Sequence, residues 1–162
     1  MEPSIEEKNL YFSGLPSCPR LVARSNFHVI FKPSNGGGRF WPVKKYLSPM
    51  SLNHKIAALW DGGPLRKDII NALDGINWKA IEILRLGFHR DPDRPEQPEP
   101  EHPHVLLVSV ANTTWSQGFP AVMSCRRIME WYGLDDIHCE MKESVVEHSP
   151  STPHEAPLLA PN

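Results

Sequence analysis

The chain has 162 residues, 40% of them apolar and 22% charged, with a formal net charge of −2. That length favours one domain, and the slightly acidic balance provides no overall positive field to gather nucleic acid or an anionic membrane. The longest apolar stretch, Val105 to Ala111, is far short of the roughly 20 residues a membrane span needs. The acidic, polar start, Met-Glu-Pro-Ser-Ile-Glu-Glu-Lys, lacks the basic beginning and apolar run of a secretory signal. Three cysteines, Cys18, Cys125 and Cys139, cannot all pair and show no CxxC spacing. These features predict reduced thiols, an intracellular location in cytoplasm or nucleus, and neither a nucleic-acid nor a membrane partner.

Proline organises the chain. Seventeen prolines are about twice the usual share of roughly 5%, and they gather before Pro49, between Pro92 and Pro103, and after Pro150. Regular structure is expected only between those clusters. Residues 1–48 read as an extended, partly disordered arm, with aromatic islands at Tyr11-Phe12, Phe27 to Phe31 and Phe40-Trp41 separated by Pro19, Pro33 and Gly36 to Gly38. Asn26 to Phe31 has the β-branched and aromatic content of a short strand, but docking of a few aromatics on the domain is the favoured reading. The pair Lys44-Lys45 is too short to act as a basic patch.

Residues 49–146 read as the folded domain. His54 to Trp60 has apolar residues at helical spacing, with Ser51 or Asn53 to cap it. Gly62-Gly63-Pro64 then kinks or breaks the helix. Leu65, Ile69, Ile70 and Leu73 continue the stripe to a stop at Gly75. Trp78 to Phe88 reads as a strand in which Leu84 and Leu86 shift the parity set by Ile81 and Ile83, as happens when both faces are partly covered or at a bulge. His104 to Ala111 is nearly continuous in apolar content and is expected at the sheet centre.

Ser116 to Tyr132 is a second helix with Val122, Cys125, Met129 and Tyr132 on one stripe, Pro120 in its first turn and Gly133 at its end. Ile137, Cys139 and Met141 alternate with His138, Glu140 and Lys142, the pattern of a half-buried strand. Residues 147–162 read as a disordered, proline-rich tail. The resulting fold class is α+β, a two-layer sandwich of element order α-β-β-α-β. Its first two strands pair antiparallel, the last two run parallel across the helix, and the helices share one face of a small mixed sheet. The other face, with some of Leu84, Leu86, Leu107 and Val145, must be solvated, covered by the arm, or an interface.

Few residues carry recognisable chemistry. GxSxG, HExxH and GxGxxG are all missing, and the glycines at Gly36 lack the lysine and helix of a phosphate loop. His138 and Cys139, adjacent in a strand, point to opposite faces and cannot form a nucleophile–base pair. Cys125 and Cys139 fit the core as small hydrophobes, and no catalytic or cofactor-binding residue is assigned. The proline loop at 89–103 brings His89, Asp91 and Asp93 opposite His102 and His104, a donor set zinc accepts if the hairpin closes. The ordering entropy of such a loop argues against it, so no metal cofactor is expected. An exposed tryptophan among Trp60, Trp78, Trp115 and Trp131 would be the best pointer to a binding surface.

Three stretches together carry a family likeness. They are Gly14-Leu15-Pro16 with Leu21-Val22-Ala23-Arg24-Ser25, then Trp78 through Gly87, and Lys142-Glu143-Ser144-Val145-Val146. On these the chain resembles a family of uncharacterised fungal proteins with a Leu-Val-Ala-Arg-Ser arm, a Trp-centred strand ending Arg-x-Gly, and an Arg-Glu-Ser-Val-Val close. Here Lys142 stands for the arginine, and Val108-Ser109-Val110 replaces a Trp-Ile-Gly centre. Longer members carry a further region with a Thr-Ala-Arg-His stretch faintly similar to the histidine motif of trypsin-like proteases. The resemblance implies that this chain corresponds to the N-terminal module, and it carries over no functional residue. The expectation is a non-catalytic module that binds another polypeptide. A metal-dependent hydrolase using the histidines and aspartates of the proline loop, or a fragment without independent function, are the alternatives.

Overall fold

In a computed structural model the described residues are 1–33, 44–88, 95–96 and 98–144. Five strands form one mixed sheet: β1 (Leu21–Arg24), β2 (Lys45–Pro49), β3 (Trp78–Phe88), β4 (His104–Val110) and β5 (His138–Glu143), in the order β1-β5-β4-β3-β2. β3 and β4 pair antiparallel, and β4 and β5 pair parallel. β4, buried along its whole length, is the central strand. The α+β class and the α-β-β-α-β order read from the sequence are therefore present.

The helices explain one layer. α2 (Ile56–Trp60) and α3 (Pro64–Ala72) are separate, because Gly62 takes a positive φ of 70° and Pro64 opens α3. α2 is capped neither by Ser51 nor by Asn53. Instead His54 Nδ1 accepts the Ile56 N–H at 3.0 Å. α4 (Trp115–Trp131) starts on Thr114, whose N–H donates to the Gln117 side chain at 3.0 Å. Pro120 lies in the second turn of α4 rather than the first. Ile56, Leu65, Ile69, Val122, Cys125 and Met129 pack on Leu106, Val108, Val110, Cys139 and Met141. At Gly118 the helix approaches so closely that a Cβ would touch Met141 Sδ, Val22 and Ala23.

The largest departure concerns the arm. Residues 1–33 were expected outside the domain, yet α1 (Ile5–Leu10) and β1 belong to it, and β1 and β2 are both edges of the sheet. The strand lies at Leu21–Arg24 and not at Asn26 to Phe31, which forms a turn. β1 pairs antiparallel with β5, with a bulge between Leu21 and Ala23 that sends both Val22 and Ala23 to the helix side. The domain boundary at residue 49 therefore moves towards the N-terminus. The tail at 147–162, Val145, and the Gly36 to Gly38 run lie outside the described residues.

The arm also covers the second sheet face. Tyr11, Phe12 and Leu15 pack with Leu21, Leu84, Leu86, Val105 and Leu107 in a second core, with Phe31 at its border. Burying Phe12 and Leu15 contributes about 1.5–3 kcal/mol each. Leu84 and Leu86 thus need no parity shift. Ile81 and Ile83 face the helices while Leu84 and Leu86 face the arm, in unbroken register from Ala80 to Arg85.

Candidate functional site

Covering β5 with the arm buries its polar side. Glu140 is 3% exposed, and its Oε1 accepts the Tyr11 hydroxyl at 2.6 Å. Its Oε2 is buried with no hydrogen-bond partner among the described residues. Burial, and then the Glu140 charge and hydrogen bond, hold the Tyr11 phenol well above its ordinary pKa. Arg24, at the end of β1, pairs with Glu7 at 2.8 Å and donates to the carbonyls of Asn26 and Val29. One guanidinium thereby fixes both α1 and the turn after β1.

Gly14 sets where the arm meets β2. Its φ of +98° is open to glycine alone, and a Cβ there would overlap the Lys45 backbone. The neighbouring Ser13 carbonyl accepts the Lys45 N–H at 2.7 Å. Lys45 therefore enters the sheet beneath the arm, with its Nζ 3.2 Å from the centre of the Tyr11 ring and within 5.6 Å of the Phe12 and Phe88 rings. The side chain is 8% exposed and makes no hydrogen bond or ion pair among the described residues. Burial pulls its pKa down to about 8, against the opposing pull of Glu140.

These groups border a cavity of about 610 Å³ between the arm and the sheet. Its apolar walls are Val29, Ile30 and Phe31 on the arm side and Leu86, Phe88 and Val105 on the sheet side. The volume falls within the range of sites that enclose small molecules, about 300–1,000 Å³. Val29, Ile30 and Phe88 are 52%, 81% and 41% exposed and form an apolar rim.

Two further hydrogen-bonded clusters reach the cavity through His138, His104 and Asp136. Ser25 Oγ accepts the Cys139 N–H at 2.9 Å and lies 3.0 Å from His138 Nδ1. Ser25 is 3% exposed, and the pair ties the end of β1 to β5. His54 accepts the Ile56 N–H at Nδ1 and lies 2.6 Å from Asp136 through Nε2, while His104 Nε2 accepts the Ser51 N–H at 3.0 Å. Both neutral imidazoles thus have their lone pair committed. Burial, then His54 and Arg85, hold the pKa of His104 below its usual value.

Of the expected metal ligands, His89, Asp91 and Asp93 lie outside the described residues. His102 and His104 are described and serve elsewhere. The His102 ring covers Gly87, where a Cβ would overlap it, and lies 2.7 Å through Nε2 from the Tyr46 hydroxyl. No group of three or more potential metal ligands occurs among the described residues. Trp131 is 87% exposed on α4, whereas Trp60 is buried. Arg126 donates to the Ile137 carbonyl and pairs with Glu130, which leaves Arg127 as the freely presented member of its pair. Cys18, Cys125 and Cys139 are free thiols, the last two in the core.

Sequence reasoning missed Tyr11, Arg24, Lys45 and Glu140. The usable signal was the arm motif itself, since Arg24 and Ser25 close the Leu-Val-Ala-Arg-Ser stretch and both make long-range bonds. No helix among the described residues is long and apolar enough to cross a membrane. Comparison with protein-family models, curated proteins and solved structures found no match.

Proposed function

We propose that the protein is a non-catalytic binding module and that its site is the cavity between the arm and the sheet. The observation that supports this most directly is a concave space of about 610 Å³ with aliphatic and aromatic walls, bordered by a buried lysine that makes no ion pair among the described residues. A space of this kind takes an apolar guest against its hydrophobic walls and orients it by a few polar groups at its border, Lys45 and Glu140 among them. His54 and His104 each accept a backbone N–H, which favours binding over turnover at those two imidazoles.

A protein partner is the second reading, supported by the exposed rim at Val29, Ile30 and Phe88 and by Trp131 on the opposite layer. In that case the cavity would receive an apolar side chain of the partner. The two readings share a site and differ in the guest. An uncharged, environment-sensitive fluorophore titrated into the full chain tests the site. The expected result is saturable enhancement that Ile30→Asp weakens without lowering the melting temperature, because Ile30 is 81% exposed. Fluorescence that rises without saturation, or that Ile30→Asp leaves unchanged, would overturn the assignment of the cavity as the site.

A further inference from the structure

We infer that the guest is a neutral, apolar carbonyl compound, an aliphatic aldehyde or ketone, and that Lys45 captures it as an imine. The inference rests on the binding reading above. A lysine on a protein surface is solvated, and a buried lysine held for structure is paired with a carboxylate or with carbonyl oxygens. Lys45 is neither. It is 8% exposed, borders the cavity, and meets three aromatic rings instead of an acceptor.

The charge around it decides between guests. Glu140, the carboxylate acting on Lys45 most strongly, borders the same cavity, with one oxygen bonded to Tyr11 and the other without a partner. Arg24 is neutralised by Glu7. An anionic guest would have to be desolvated beside Glu140, and a cationic guest beside Lys45. A neutral molecule with an acceptor oxygen meets Lys45 without bringing a further charge into the cavity. A carbonyl oxygen on a hydrocarbon chain has that form, and the aliphatic walls suit the chain.

Burial keeps the Lys45 pKa near 8, so an appreciable share of molecules carry the free amine at neutral pH, as desolvated nucleophilic lysines do. Its Nζ adds to the carbonyl carbon as the C=O π bond opens, and one amine proton moves to the oxygen to give a carbinolamine. The hydroxyl then leaves with the remaining N–H proton as water while the C=N bond forms. Amine and carbonyl compound give imine and water, with no change of oxidation state. The imine nitrogen, when protonated, keeps the favourable field that Glu140 exerts at Lys45.

The test treats the full chain with decanal and cyanoborohydride, which fixes any imine as a secondary amine, and locates the adduct by peptide mass mapping. Lys8, Lys32, Lys44, Lys55, Lys67, Lys79 and Lys142 serve as internal controls. The expected result is labelling of Lys45 more than about tenfold faster than of any other lysine. Lys45→Arg should abolish that adduct while 1-decanol still displaces the fluorophore. If decanal and decanol both displace the fluorophore but adducts fall evenly over the lysines, carbonyl capture is overturned and the binding reading stands. Displacement by decanoate at lower concentration than by decanal, again without a Lys45 adduct, would identify an anion site and also overturn it. If none of the three displaces the fluorophore, both readings fall. A melting curve of Lys45→Arg confirms that loss of the adduct is not loss of fold.

Discussion

On the helix side of the sheet, Leu106, Val108, Val110, Cys139 and Met141 meet the apolar faces of α2, α3 and α4. On the arm side, Leu84, Leu86, Val105 and Leu107 share their layer with Arg24, Lys45 and Glu140, three buried charged side chains. The first layer is closed and hydrophobic. The second has a cavity and, among the described residues, a carboxylate oxygen without a hydrogen-bond partner and an ammonium that meets aromatic rings in place of a carboxylate. Groups of that kind are costly to bury, and their concentration on one side separates a layer that stabilises the fold from a layer that carries a site.

Truncations matched across the sheet test this division with the largest effect. Leu106→Ala, at 0% exposure against the helices, should cost about 2–5 kcal/mol in a urea melt. Leu86→Ala, which enlarges a space already present, should cost clearly less. Equal losses would mean that the arm side is packed as tightly as the other. Gly14→Ala is expected next, at about 1–3 kcal/mol, since its φ is positive and its Cβ would strike Lys45. The Lys45 amide, bonded to Ser13, should then lose hydrogen-exchange protection before amides of β4 do.

Lys45→Met should move stability the other way, by about 1–3 kcal/mol at pH 7, because it removes a buried charge. The sign follows from protonation. Lys45 binds its proton less tightly folded, with a pKa of about 8, than unfolded, at 10.5, so its penalty is complete below pH 8 and fades as pH rises towards 10.5. The wild-type protein should gain stability over that interval relative to the Met variant. Above about pH 10 the raised Tyr11 pKa acts oppositely, since the unfolded phenol ionises first. Thermal melts of both proteins across pH 7–11 would show parallel curves if Lys45 were ordinarily solvated. The smallest effect is expected at Trp131→Ala, within about 0.5 kcal/mol, because an 87% exposed side chain buries little.

The helix layer was legible in the sequence because its signal is local. Val122, Cys125 and Met129 recur at helical spacing, and β4 is apolar throughout, so element type and pairing direction both followed. The arm layer was not, because its cover comes from residues far away in the chain, 129 positions in the case of Tyr11 and Glu140. Nothing near Glu140 announces Tyr11, and a strand alternating Cys139, Glu140, Met141 reads as solvated on its polar side until a distant segment lies across it. β1 was hidden similarly: its four residues are all buried, so no alternation marks them. His102 and His104 were visible as residue types, but their hydrogen bonds to Tyr46 and Ser51 depend on tertiary placement.

The sheet order also dictates a sequence of assembly. β1 pairs with β5, joining Leu21 to Lys142 and Arg24 to Glu140, while the centre of the sheet is made from residues 78 to 143. During synthesis from the N-terminus, β1 must wait unpaired until nearly every other element has left the ribosome, at about 5–20 residues per second. So long-range a closure places this edge among the late steps of folding. The arm-side cavity would then be the last part of the molecule to acquire its shape, and a guest present at that moment would meet a protein still open on one side.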